Sequence, residues 1–109
     1  MNRTVNTTYR RDARVLRALA SETRLLIVNR LAQGECCVCE LVELVGCDQS
    51  TVSKHLATLR DSGIVEGERR GNHVYYRLLS PGVMSVLSCV AKMSGRLDGQ
   101  PGESDEPQD

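Results

Sequence analysis

The 109-residue chain is poor in aromatic residues, with three tyrosines and neither tryptophan nor phenylalanine. Its core must therefore be built from aliphatic side chains, which suits a helical domain. No apolar run approaches the roughly 18 residues that would predict a transmembrane helix, and no signal-peptide pattern opens the chain. We therefore expect one cytoplasmic domain with flanking segments and no membrane partner.

The chain also has no formal net charge, because 14 basic residues balance 14 acidic residues. This balance is uneven along the sequence. Residues 96–109 hold one basic and five acidic residues among glycines and prolines, which predicts a disordered acidic tail. The rest of the chain is therefore basic, with 13 basic against 9 acidic residues. We predict an N-terminal arm over residues 1–10 and one folded domain over residues 11–95.

Apolar spacing and capping residues predict five helices. They run over residues 12–20, 21–34, 38–45, 49–62 and from Pro81 onward, with Ser21, Asp48 and Ser80 as N-caps. Alternation over residues 64–79, around a turn at Arg70-Gly71-Asn72, predicts a two-stranded hairpin. A short helix, a tight turn, a second helix and a hairpin are the parts of a winged helix-turn-helix. The predicted fold class is therefore mainly α with a small β-hairpin.

The last predicted helix is apolar on almost every side. Val83, Met84, Val86, Leu87 and Val90 leave it little polar face, so the helix needs more than one packing partner. A homodimer interface would supply the second partner. The alternative is that this helix only fills the core of its own domain.

The fourth predicted helix and the hairpin tip carry the side chains that we expect at DNA. The helix offers hydrogen-bonding groups with no acidic residue between Asp48 and Asp61, and such groups can pair with bases or phosphates. The basic tip suits the minor groove or the phosphate backbone. An ordinary polar helix face and a basic turn are the alternative. The predicted contact residues are Gln49, Ser50, Thr51, Ser53, Lys54, His55 and Arg60 on the helix, and Arg69, Arg70, Asn72 and His73 at the tip.

The chain has five cysteines, an odd number, and Cys36, Cys37 and Cys39 lie in one four-residue stretch. Without a secretory signal, metal binding or redox chemistry is a better expectation than a disulfide framework. Thiolates prefer soft ions such as As(III), Sb(III), Cd(II) or Pb(II). Cys36 and Cys39 also match the C-x-x-C redox motif, but a helix and Gly34 precede them instead of a strand, so no enzyme is expected.

Several short segments between residues 10 and 92 form a specific pattern. They are Leu19-Ala20-Ser21-Glu22-Thr23-Arg24-Leu25, Cys37-Val38-Cys39-Glu40-Leu41, Gln49-Ser50-Thr51-Val52-Ser53-Lys54-His55-Leu56, Leu59-Arg60-Asp61-Ser62-Gly63 and Tyr75-Tyr76-Arg77-Leu78. As a set, they resemble the ArsR/SmtB family of bacterial metal-sensing repressors. The resemblance implies a homodimer joined through its first and last helices. It also implies that the dimer represses transcription from an inverted-repeat operator and releases the DNA when its ion binds, without an organic cofactor.

The cysteine pair Cys37 and Cys39 resembles the ligand core of the family's arsenite, antimonite, cadmium and lead sensors, which implies that both are ligands. Arsenic sensors of this type often have another cysteine three residues after the pair, where this chain has Val42. For the third ligand we favour Cys36, which shares a helical face with Cys39. Three thiolates would favour arsenite or antimonite. The other two cysteines, Cys47 and Cys89, are less favoured as ligands.

Cys37 and Cys39 are two residues apart and do not share a face of an intact helix. Binding one ion with both is therefore expected to distort the first turn of the third helix and so move the fourth. Both histidines are expected at the DNA, away from the cysteines. A cadmium or lead sensor is one alternative. A thiol-redox or persulfide sensor is another, in which a cysteine of the cluster pairs with Cys47 or Cys89.

Overall fold

The computed structural model describes residues 8–96. The elements follow the predicted order, with one short strand added ahead of the third helix. Their bounds are α1 Arg10–Leu19, α2 Glu22–Leu31, β1 Cys36–Cys37, α3 Val38–Val45, α4 Gln49–Asp61, β2 Val65–Arg70, β3 His73–Leu78 and α5 Gly82–Met93. The predicted N-terminal arm and acidic tail lie outside the described residues, except for residues 8–10 and 96.

The helix-turn-helix pair, α3 and α4, is bounded by the residues that the sequence indicates. Gly46 ends α3 with a φ of 82°, a left-handed conformation that glycine adopts without strain. Asp48 is the N-cap of α4, because its side chain accepts a hydrogen bond from the Thr51 backbone N–H at 3.4 Å. The prediction for the last helix is wrong by one position, since α5 begins at Gly82 with Pro81 as its N-cap in place of Ser80.

The sheet has three strands in the order β1-β3-β2, where the sequence predicted a two-stranded hairpin. The added strand, β1, pairs antiparallel with β3 and sets Cys36 opposite Tyr76 and Cys37 opposite Tyr75. A two-residue strand is too short to show alternation, so apolar spacing does not reveal it. β1 ties the start of α3 to the wing, the name used here for β2, β3 and their connecting turn (residues 65–78).

The core is mostly aliphatic, as the shortage of aromatic residues requires, with Tyr76 as its one aromatic member among the described residues. α4 buries one stripe of Val52, Leu56 and Leu59 and packs on α2 and α3. Ile27 and Val28 of α2 lie in the same core. This packing fixes α4 along one side and leaves the polar side chains at its N-terminal end in solvent.

The ring of Tyr76, the cross-strand partner of Gly67, leaves no room for a side chain at position 67. A Cβ atom at position 67 would lie 2.8 Å from Cζ and 2.9 Å from Cε2 of that ring, and the ring is buried. We expect Gly67→Ala to destabilise the fold by about 1–3 kcal/mol, measured as a lower Tm in thermal denaturation. Gly82→Ala is the matched control, because nothing lies within 4 Å of its added Cβ. An unchanged Tm for Gly67→Ala would contradict this packing.

Parts of α1 and α5 are apolar and yet exposed in the single chain. Leu16 on α1 is 59% exposed, and Met93 on α5 is 78% exposed. Val86, Val90 and Met93 follow i, i+4, i+7 spacing and so form one stripe, here called the α5 stripe. Val83, one turn before Val86 on the same side of α5, is buried. A helix that only filled its own core would not leave this stripe in solvent.

None of the helices within residues 8–96 combines the length and the apolar character needed to cross a membrane.

Candidate metal centre and nucleic-acid interface

The third helix begins with a capping box in which Cys37 is the capping residue. Cys37 is extended, with φ −78° and ψ 149°, and its Sγ accepts a hydrogen bond from the Cys39 backbone N–H at 3.2 Å. The Glu40 carboxylate accepts a hydrogen bond from the Cys37 backbone N–H at 3.3 Å. These bonds satisfy backbone donors that the helix leaves unpaired, so they hold the Cys37 side chain at the positive end of α3.

Cys37 and Cys39 stand together at this helix start. Their Sγ atoms are in bonding contact as a disulfide, with the Cα atoms 5.3 Å apart. The expectation that their approach distorts the first turn of α3 is wrong, because Cys37 precedes the first helical residue, Val38. When reduced, the pair offers two thiol ligands to one ion while α3 keeps its first turn.

His73 is the third candidate ligand that the structure brings to this pair. One ligand atom from each of Cys37, Cys39 and His73 lies within 4.8 Å of the others. The expectation that both histidines lie away from the cysteines is therefore wrong for His73. The cause is β1, because its pairing with β3 sets Cys37 opposite Tyr75, two residues from His73. The position of His73 depends on β1, which is too short to be seen in the apolar pattern of the sequence.

Cys36 does not belong to this group. Its side chain is 1% exposed within the hydrophobic core, and its thiol donates a hydrogen bond to Glu40 Oε1 at 3.3 Å. Burial, reinforced by that hydrogen bond, raises the pKa of the Cys36 thiol and so keeps it protonated. Cys47 and Cys89 are free and exposed. Within residues 8–96, none of these three cysteines lies in a cluster of three candidate ligands.

A cavity of ≈ 420 Å³ joins the thiol pair to side chains that we predict at DNA. One part of its wall is formed by Cys37 and Cys39, at the start of α3. The remaining walls come from α4 and the wing tip, through Gln49, Ser53, Arg69, Asn72 and His73. An ion held by the two thiols would therefore lie beside the predicted DNA-contacting surface.

Most of the predicted DNA-contacting side chains are open to solvent. Thr51 is half-buried, and the Ser50 hydroxyl donates a hydrogen bond to Asp48 Oδ2 at 3.1 Å. The exposed members include Gln49, Ser50, Ser53 and Lys54 on α4, and Arg69, Asn72 and His73 on the wing. Five of them, Gln49, Ser53, Arg69, Asn72 and His73, line one cavity, which places the exposed start of α4 beside the wing tip.

Two predicted DNA-contacting arginines are engaged within the protein. Arg70 forms a two-point ion pair with Glu35 at 2.6 and 3.0 Å and a further one with Glu68 at 2.9 Å. These carboxylates raise the pKa of Arg70 above its already high ordinary value. Arg60 pairs with Asp61 at 3.5 Å. A DNA phosphate would have to compete with these carboxylates for either arginine.

His55 links three helices. Its Nδ1 lies 3.1 Å from Nη1 of Arg24, and Arg24 Nε donates a hydrogen bond to the Ala18 carbonyl at 2.6 Å. These contacts join α4 to α2 and to the end of α1. Burial, together with the positive charge of Arg24, lowers the pKa of His55. A neutral His55 can therefore accept the Arg24 hydrogen bond, which is a structural role that the sequence did not indicate.

Comparison with known proteins identifies the family. The model described as "Bacterial regulatory protein, arsR family" matches residues 21–67. A structure of Mb0332 from Mycobacterium bovis superposes with a TM-score of 0.74 at 32% identity and covers 85% of this chain and 86% of that one. It is described as a homodimeric winged helix-turn-helix DNA-binding domain and a possible ArsR-family transcriptional regulator. The chain belongs to the arsR family.

This arsR-family chain is also similar to other proteins. The structure of NolR from Sinorhizobium fredii superposes with a TM-score of 0.78 at 31% identity, and the match covers 89% of this chain and 97% of the NolR chain. Arsenic resistance transcriptional regulator ArsR1 of Pseudomonas putida is 45% identical over 65 residues, which are 59% of this chain and 51% of that protein. The chain spans about half the length of the first curated relatives that it matches. The winged helix-turn-helix prediction is confirmed, and a family of regulatory proteins agrees with the expectation of no enzyme.

The lowered pKa of His55 predicts how the stability of this arsR-family chain depends on pH. Folding disfavours the protonated imidazole, so its contribution to stability is present above the ordinary pKa of 6.5 and is lost as the pH falls below it. We expect the free energy of unfolding to fall between pH 7.5 and 5.5. The fall should be shallower in His55→Gln, measured by urea unfolding at each pH. Equal slopes for the two proteins would contradict this role of His55.

Proposed function

We propose that this arsR-family chain acts as a homodimeric transcriptional repressor that binds inverted-repeat DNA and leaves it when a thiophilic ion binds Cys37 and Cys39. The observation that carries the proposal is the ≈ 420 Å³ cavity. The two thiols and the predicted DNA-contacting residues line the same space, so occupation of one set by an ion affects the position and charge of the other.

DNA binding is supported by the exposed start of α4. Gln49, Ser53 and Lys54 are exposed there, and amide, hydroxyl and ammonium groups suit base edges and phosphates. The wing tip adds Arg69 and Asn72, which are exposed in the same region. A recognition helix with a basic wing beside it is the usual arrangement for docking in a major groove and its neighbouring backbone.

A homodimer is supported by the apolar surface that α1 and α5 leave uncovered. Leu16 and the α5 stripe are exposed in the single chain, and a patch of this kind on a small domain marks an association surface. The related domain from Mycobacterium bovis is described as homodimeric. Two copies related by a two-fold axis would present two α4 helices to an inverted-repeat site.

Two classes of ion suit a pair of thiolates. Arsenite and antimonite come first, because the motif resembles that of arsenic sensors and the Pseudomonas relative is named for arsenic resistance. Cd(II) and Pb(II) are the alternative, since they are also thiophilic. No organic cofactor is needed in either case. The chain's own contribution is to hold both sulfurs at the positive end of α3, where thiolates are favoured.

Thiol oxidation is a second candidate, favoured by the contact between the Cys37 and Cys39 sulfurs. In that reaction the two thiols form one S–S bond and give two protons and two electrons to a peroxide, which leaves as two molecules of water. The pair involved is then Cys37 with Cys39, within the cluster, in place of the predicted partners Cys47 and Cys89.

The experiment uses the reduced full chain on an inverted-repeat site that the protein itself selects from random-sequence DNA. Arsenite, antimonite, Cd(II), Pb(II), Zn(II), hydrogen peroxide and a persulfide donor are each titrated into the complex. Release by a thiophilic ion in the presence of a reductant supports the proposal. Release only by peroxide or persulfide, reversed by reductant, supports oxidation instead. A complex that survives every reagent contradicts both.

A further inference from the structure

The three ligand atoms of the site come from two different parts of the fold. Cys37 and Cys39 belong to the start of α3, whereas His73 is the first residue of β3, at the tip of the wing. Their ligand atoms lie within 4.8 Å of one another. Ligands of one tetrahedral ion at about 2.0–2.3 Å lie roughly 3.3–3.8 Å apart, so a shift of about 1 Å in the side chains would bring all three to one ion once the Cys37–Cys39 disulfide is reduced.

The burial of the three residues allows that shift. Cys39 and His73 are exposed and free to adjust, whereas Cys37 is buried and held by the capping box. Cys36, the third ligand predicted from the sequence, lies in the core with its thiol hydrogen-bonded to Glu40. Moving Cys36 Sγ to the ion would open the core and break that bond, whereas His73 needs only a change of side-chain position.

We propose that His73 is the third protein ligand, so that the ion joins α3 to the wing. This inference rests on the proposed function, and within it favours divalent ions over arsenite and antimonite. Two thiolates and one imidazole form a mixed sulfur and nitrogen set, which suits borderline divalent ions such as Cd(II) or Zn(II). A trivalent arsenic or antimony ion would be held by the two sulfurs with little help from the imidazole.

His73 would also couple the ion to DNA. Arg69 and Asn72, near His73 on the wing, line the same cavity as Gln49 and Ser53 of α4. When His73 binds the ion beside the thiols, its imidazole is no longer available to the predicted DNA surface, and the ion fixes the wing tip to α3. The ion and the DNA therefore compete for one side chain and for the position of the wing tip.

The test measures Cd(II) binding to the reduced full chain without DNA. Affinity comes from competition with a chelator, and the number of bound thiolates comes from the sulfur-to-cadmium charge-transfer absorption. We expect His73→Gln to weaken Cd(II) binding at least ~10-fold, with two bound thiolates in both proteins. His55→Gln is the matched control, because it removes the chain's other histidine, which contacts Arg24. Its Cd(II) affinity should equal that of the wild type.

A second variant separates the ligand role from a structural one. His73→Cys should add a third thiolate to the Cd(II) absorption and should raise the affinity for arsenite at least ~10-fold, because arsenic prefers three sulfur ligands. A residue that only supported the wing would not produce either change.

Three results would overturn the inference. One is a wild-type Cd(II) affinity in His73→Gln while Cys37→Ser binds poorly, which would leave the proposed function standing. Another is a count of three thiolates in the wild type, which would point to a third cysteine such as Cys36. The last is a wild-type Cd(II) affinity in both Cys37→Ser and His73→Gln, which would remove the proposed function as well.

Discussion

Replacing Cys37 with serine is expected to abolish ion-induced release of DNA while leaving DNA binding intact. The serine hydroxyl can replace Sγ as the acceptor for the Cys39 backbone N–H, since serine is a favoured N-cap. The start of α3 therefore keeps its geometry. A hydroxyl does not ionise near neutral pH and cannot replace a thiolate, so the apparent ion affinity should fall at least ~100-fold.

The measurement is the anisotropy of labelled inverted-repeat DNA, titrated with ion in the presence of a reductant. Cys47→Ser is the matched control, because Cys47 is free and exposed and takes no part in the three-ligand group. It should release DNA at the wild-type ion concentration. If Cys37→Ser also releases DNA at that concentration, Cys37 is not a ligand and the site lies elsewhere.

The second large effect is expected on α5. Val90 lies in the middle of the α5 stripe and is exposed in the single chain. An aspartate at this position would place a charge in the proposed dimer interface, where it has no described partner and loses its hydration. We expect the Val90→Asp variant to be monomeric and to bind DNA at least about 100-fold more weakly than the wild type. A monomer has a single recognition helix and so loses the added affinity that a second, linked helix provides.

Sedimentation velocity and DNA anisotropy on the same preparation check this expectation. Ser85→Asp is the control, because Ser85 lies on another, exposed face of α5 and an acidic residue suits the first turn of a helix. It should remain dimeric and bind DNA normally. A dimeric Val90→Asp with wild-type DNA affinity would show that the α5 stripe is not the interface.

Local chemistry is what made the helix-turn-helix predictable. The apolar spacing of Val52, Leu56 and Leu59 defines a buried face, and these residues are indeed buried. Gly46 and Asp48 mark the turn through their own backbone and capping preferences, without help from distant residues. These signals all lie within a few positions of the structure that they specify.

Only part of the ion site could be predicted from the sequence, because one of its candidate ligands is placed by contacts between distant residues. Cys37 and Cys39 are close in sequence, so their pairing could be seen, but the position of His73 depends on the two-residue strand β1 and its register with β3. The same strand and the capping box put Cys37 outside the helix, which the spacing argument missed. Cys36 was favoured on helical geometry that does not apply, since it belongs to β1.

Composition alone also could not predict which charged side chains of the wing are paired within the protein. Arg70 looks free in the sequence, but Glu68 pairs with it within β2, and Glu35 holds it through a contact that forms only when the loop before β1 meets the wing. Whether an arginine meets DNA or a carboxylate depends on such long-range pairing.

The most direct test of the central claim is the affinity of one ion, Cd(II) or arsenite, for the dimer with and without its DNA. If the thiol pair and the DNA surface share one cavity, the two ligands oppose each other. Thermodynamic linkage then requires that the ion weakens DNA binding by the same factor by which DNA weakens ion binding. We predict that saturating DNA weakens ion binding roughly 5–150-fold. Equal ion affinities for the free and the DNA-bound dimer would contradict the proposal.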